Sequence, residues 1–96
     1  MVKKDITDKL NFEEKPALVI KGEEIEVNGD APAVLRVMSL MAKTPGPAEI
    51  TSAYEAMFPE ESRCKLEKLN ISFKGLVTVI NEAIRLIVGE NDEGEA

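Results

Sequence analysis

Cys64 stands between Arg63 and Lys65, two cations that favour a thiolate, and is the single cysteine of the chain. A cysteine nucleophile also needs a base. Histidine is absent, so only a lysine or a carboxylate is on hand to serve, and the usual histidine-dependent acid-base and nucleophilic schemes lack their parts. Cys64 therefore reads as a small packing residue of a helix. The paired carboxylates Glu13-Glu14, Glu23-Glu24 and Glu60-Glu61 point apart on a strand, and about 100° apart on a helix, so no pair converges on one substrate. They read as solvated surface. Asn70-Ile71-Ser72 matches a glycosylation acceptor but is better explained as a helix start.

Metal and nucleotide chemistry fare no better. Zinc, haem and iron–sulfur sites draw on histidine and clustered cysteine. The segment Asn91-Asp92-Glu93-Gly94-Glu95 lacks the alternating oxygen ligands and distal glutamate of a calcium loop. The six glycines include no close-spaced triplet to cradle a pyrophosphate. The inventory predicts a protein that is not an enzyme and carries no metal or cofactor.

The 96 residues suit one domain, and 44% hydrophobic with 31% charged residues is ordinary globular usage. No stretch approaches the roughly 18 uncharged residues of a membrane span, and the first residues lack the apolar run of a signal peptide, which predicts a soluble cytoplasmic protein. The formal charge is −6. Glu90, Asp92, Glu93 and Glu95 lie in a base-free end, leaving 14 acids against 12 bases for residues 1–89. With no basic stripe, nucleic-acid binding is not expected.

The expected elements follow from pattern. Residues 1–16 place Ile6, Leu10 and Phe12 among charges and read as one helical turn or a loose arm. Ala17 to Val27 alternates on both sides of Gly22, which predicts a β-hairpin. A Gly22-Glu23 loop of type II′ would pair Lys21 with Glu24, Ile20 with Ile25, Val19 with Glu26 and Leu18 with Val27. Leu18, Ile20, Ile25 and Val27 then share one face, which helices must cover, because two strands alone are marginal in water.

Asp30 and Pro32 mark the start of a first helix whose apolar arc is Val34, Leu35, Val37, Met38, Met41 and Ala42, with Leu40 off that face. Thr44-Pro45-Gly46-Pro47 breaks it. A second helix from Pro47 buries Ile50, Ala53, Tyr54, Met57 and Phe58 and ends at Pro59. A third, short helix opens at Pro59-Glu60-Glu61 and carries Cys64, Leu66 and Leu69. Ser72 caps the last, Ile71 packs on Leu76 as a hydrophobic staple, and Gly89 terminates it. The last helix has the inner stripe Phe73, Leu76, Val77, Ile80, Ala83, Ile84 and Ile87, and Val79 and Leu86 widen its apolar arc to roughly 200°. The predicted class is α+β and mostly helical: an N-terminal two-stranded hairpin packed on three to four short helices over residues 17–89, with 90–96 a disordered acidic tail.

Leu40, Val79 and Leu86 are the candidate protein-binding residues. Two accounts of them stand: a small domain that buries more than half of each helix, or flanks presented to another subunit or to a client helix. Met38, Met41 and Met57 suit either core filling or an adaptable surface. The tail is a solubilising end, a linker, or an electrostatic fence against acidic surfaces.

The order of parts, with Val27-Asn28-Gly29-Asp30-Ala31 after the hairpin, the Leu35-Arg36-Val37-Met38 and Tyr54-Glu55-Ala56-Met57-Phe58 helices, and Leu69-Asn70-Ile71-Ser72-Phe73 before a last helix stopping at Gly89-Glu90, resembles the small tail assembly chaperones of long-tailed phages and prophages of Gram-positive bacteria. The likeness covers roughly residues 17 to 90. It implies a non-catalytic protein of the bacterial cytoplasm, absent from the mature virion, that binds the helical tape measure protein, helps recruit tail tube subunits, and in many relatives also exists as a longer frameshifted form. A homo-oligomer is compatible with it, and no site residue is carried over. The competing reading is a small acidic regulator or adaptor of phage origin acting on a host protein, which calls for acids clustered on one folded face.

Overall fold

Short alternating strands and four apolar periodicities give a hairpin followed by helices in the computed structural model, which describes residues 2–10 and 15–89. The strands are β1 (Ala17–Ile20) and β2 (Glu23–Glu26); the helices are α1 (Ala31–Met41), α2 (Pro47–Met57), α3 (Glu60–Lys68) and α4 (Phe73–Val88). The fold is α+β and mostly helical. Residues 2–10 are exposed and hold one 3₁₀ turn, Thr7–Lys9. The expected acidic tail, residues 90–96, lies outside the described residues.

The hairpin differs from its expected register. Ala17 pairs with Glu26, Leu18 with Ile25, Val19 with Glu24 and Ile20 with Glu23. The loop is Lys21-Gly22, with φ of 51° and 80°. Positive φ at both central residues is the type I′ geometry, whose twist matches that of the strands. Moving the loop by one residue slides the strands by two, so each side chain keeps its face. Leu18, Ile20, Ile25 and Val27 still share the inner side, with Ile25 and Val27 fully buried. Lys21 is in the turn and no longer faces Glu24.

Backbone and side-chain bonds extend the hairpin ladder and fasten it to the helices. The Val27 N–H donates to the Pro16 carbonyl at 2.9 Å and the Asn28 N–H to the Met57 carbonyl at 2.7 Å. The Asn28 amide donates to the Ala56 carbonyl at 2.8 Å, satisfying a second carbonyl at the end of α2. From α3, Ser62 Oγ donates to the Glu26 carbonyl at 2.6 Å and Lys65 Nζ to the Glu24 carbonyl at 3.0 Å. The Arg63 guanidinium donates to the Phe58 carbonyl at 2.6 Å and closes the α2–α3 corner.

The core joins Ile25, Val27, Val37, Ile50, Ala53, Met57, Phe58, Leu66, Ile80 and Ala83. Phe58 is its largest fully buried side chain, and truncating such a residue to alanine costs about 3–5 kcal/mol. Two helix starts follow the expected caps: Asp30 accepts from the Ala33 N–H at 3.3 Å and Ser72 accepts from the Gly75 N–H at 3.1 Å. At the start of α2 the Glu49 carboxylate accepts from the Gly46 N–H at 2.9 Å, a cap not expected from the sequence. Gly89 closes α4 in the left-handed region.

Candidate protein-binding surface

Two helices set the exposed apolar surface by the angle at which they meet the core. At about 100° per residue, Val34, Val37, Leu40 and Met41 form one inward arc of α1. Val34 and Val37 are buried, and Leu40 and Met41 are half-buried against the core. Leu40 therefore belongs to the core side, contrary to its expected place off the face. Leu35 and Met38, expected inside, are exposed, Leu35 at 63%. An arc of apolar residues wider than the contact with α2 and α4 leaves one flank in water, and periodicity does not say which flank.

On α4 only Ile80 and Ala83 are buried. Leu76, Val77, Val79, Ile84 and Ile87 are half-buried beside them. Val79 packs against the core with part of its surface open, while Leu86, on the same flank, is 44% exposed. Val88 lies on the opposite flank and is exposed. Phe73 has the angle of the inner stripe but is 65% exposed, because it occupies the first turn of the helix and overhangs the core. Phe73 and Val88 were legible as apolar but not as free.

Leu86 lines a shallow cleft with Leu18, Glu82, Arg85 and Gly89. Arg85 and Glu82 form an exposed ion pair at 2.8 Å that borders this cleft with one charge of each sign. A pair of this kind contributes little to stability. The structure thus brings Leu86 next to β1, and leaves Leu40 and Val79 packed toward the core.

A second shallow cleft is lined by Tyr54, Leu66, Glu67, Asn70, Ile71 and Leu76. The Tyr54 hydroxyl donates to the Arg63 carbonyl at 3.3 Å, and its ring lies 5.9 Å from that of Phe58 at 50°. Burial, and next the Glu67 carboxylate, push its phenol above the ordinary value near 10. At the other end of the chain, Asp5 accepts from the Thr7 hydroxyl and N–H, which hold its carboxyl below the usual range.

Cys64, expected to be a packing residue, is exposed on α3 beside Glu60, Glu61, Lys65 and Lys68. Leu66 and Ser62 take the inward positions of that short helix instead. The described residues hold no group of three or more cysteine, aspartate or glutamate side chains able to hold a metal ion, and no helix long and apolar enough to cross a membrane. Comparison with protein-family models, with curated proteins and with solved structures finds no match.

Proposed function

We propose that this chain is a non-catalytic protein-binding module, in the form its resemblance implies: a phage tail assembly chaperone that holds the helical tape measure protein soluble and helps recruit tail tube subunits. The observation that carries the reading is α4, a sixteen-residue amphipathic helix with only Ile80 and Ala83 buried and with Phe73, Leu86 and Val88 exposed. An apolar stripe with free flanks is what a client helix needs to dock. Leu35 and Met38 add apolar surface on α1. The acids of the folded part spread over β2, α2, α3 and α4 rather than one face, which favours this reading over an adaptor for a basic groove.

The test is co-expression with the long helical protein encoded downstream of this reading frame. Leu86→Lys and Val88→Lys change exposed positions and leave the half-buried Val79 intact. Soluble client recovered with the unmodified chain and lost with both variants supports the reading. Equal recovery from both, or a downstream region encoding no such protein, overturns it.

A further inference from the structure

A two-stranded sheet has two outer edges, and here they are treated differently. Ladder bonds join Ile20 with Glu23, Leu18 with Ile25 and Pro16 with Val27, so the backbone groups of Glu24 and Glu26 on β2, and of Ala17 and Val19 on β1, point away from the partner strand. The outward carbonyls of β2 are taken by Lys65 and Ser62 of α3. No hydrogen bond reaches the outward N–H and C=O of Ala17 and Val19 among the described residues. Open edges are usually blunted by charge or by a bulge. β1 reads Ala17-Leu18-Val19-Ile20, with no charge on either face, and Val19 is 69% exposed.

We infer that β1 is the pairing edge for a second copy of this chain, the two β1 strands running antiparallel across a two-fold axis to make one four-stranded sheet. This goes beyond the client site on α4 and does not rest on it. The strand's own chemistry selects the occupant. With the axis at Val19, the two Val19 residues exchange a reciprocal pair of backbone bonds, and Leu18 lies beside Ile20 of the second copy on the inner face. Lys21 falls opposite Ala17 of the second copy. Ala17 is small and its own partner across the hairpin is Glu26, so the ammonium of each copy reaches over Ala17 to a carboxylate of the other. The competing centre, Leu18, sets Lys21 opposite Lys15 of the second copy and is disfavoured by like charge. The two Glu24 side chains flanking the Val19 pair stand three strand spacings apart, about 14 Å, beyond the screening length of about 8 Å. Charge and hydropathy thus match at one register.

Sedimentation of the full chain from micromolar to high concentration tests this, with Val19→Pro, Val19→Lys and Val19→Thr. Proline at Val19 removes only the outward N–H, since the hairpin ladder uses the flanking residues. The expected result is a concentration-dependent dimer, a dissociation constant raised roughly tenfold or more by Val19→Pro and Val19→Lys, and a dimer retained by Val19→Thr, all with unchanged helical circular dichroism. In the unmodified chain the Val19 amide should exchange more slowly as concentration rises. A monomer at every concentration, a dimer indifferent to both Val19→Pro and Val19→Lys, or Val19 exchange independent of concentration overturns the inference.

Discussion

Ser62 on α3 and Glu26 on β2, 36 residues apart, are joined by a hydrogen bond of 2.6 Å from the Ser62 hydroxyl to the Glu26 backbone carbonyl. Ser62 is 3% exposed and is the one buried polar side chain among the described residues. Neither residue is notable alone: one is a serine in the first turn of a charged helix, the other a surface glutamate. Together they close the outer edge of β2 and tie the hairpin to the helical layer.

Ser62→Ala removes the donor to that carbonyl, in a bond that is buried on the Ser62 side and open to water on the Glu26 side, so the loss falls at the lower end of the range for a buried group. The cost of an unpaired buried group is about 1–3 kcal/mol. Urea unfolding of the variant should show a lower midpoint with an unchanged slope. A midpoint equal to that of the unmodified chain would mean that the bond adds nothing to stability.

Gly75 lies in the first turn of α4, where alanine is ordinarily better by about 1 kcal/mol. A Cβ at this position would meet Ile71 Cγ2 at 2.5 Å, closer than carbon atoms approach. Ile71 is held against the core. Gly75→Ala should therefore destabilise by about 1 kcal/mol or more instead of stabilising. With Ile71→Ala already present, the same change should become favourable by about 1 kcal/mol, and a double-mutant cycle in urea measures the reversal.

Lys21 sits at φ 51° next to Gly22 at φ 80°. A side chain with a Cβ is strained in this region by about 1 kcal/mol, and Asn-Gly is the pair that type I′ loops favour. Lys21→Asn should stabilise by about 0.5–1 kcal/mol and raise the thermal midpoint by a few degrees. A lowered midpoint would show that the lysine ammonium contributes more than the strain removes.

Tyr54 is the single tyrosine of a chain without tryptophan, so phenolate absorbance reports on it alone. Burial and then Glu67 raise its pKa, the neutral form being favoured in the folded state. The associated stability is complete below the ordinary value near 10 and is lost as pH rises through the raised value. Absorbance titration of the folded chain should show a midpoint above that of the denatured chain, and Glu67→Gln should bring it down. Coincident midpoints would refute the assignment.

Turn residues and caps carried most of the fold in the sequence. Asp30, Ser72 and Gly89 are short-range devices, and α1 begins, and α4 begins and ends, where they place it. The hairpin faces were equally legible because parity survives a slide of two residues, while the register depended on whether Lys21 would tolerate positive φ. Orientation was harder. Leu35 and Leu40 are both apolar residues of α1, and only the position of α2 and α4 decides that Leu40 turns inward. Cys64 turned outward for a similar reason, since a nine-residue helix meets the rest of the molecule along a single line through Ser62 and Leu66. Leu86 is exposed on the flank that periodicity gives it, whereas the exposure of Phe73 depends on where the core ends.

The tie between Ser62 and Glu26 also sets an order of events during synthesis. At roughly 5–20 residues per second, the 36 residues that separate them take about 2–7 s to be translated. A hairpin forms in about 1–10 μs, so both edges of this one are available to neighbouring nascent chains long before α3 arrives to cover the second. Ribosomes spaced closely on one message would hold such uncovered hairpins side by side, and slowing translation between Glu26 and Ser62 should increase mispaired, insoluble product.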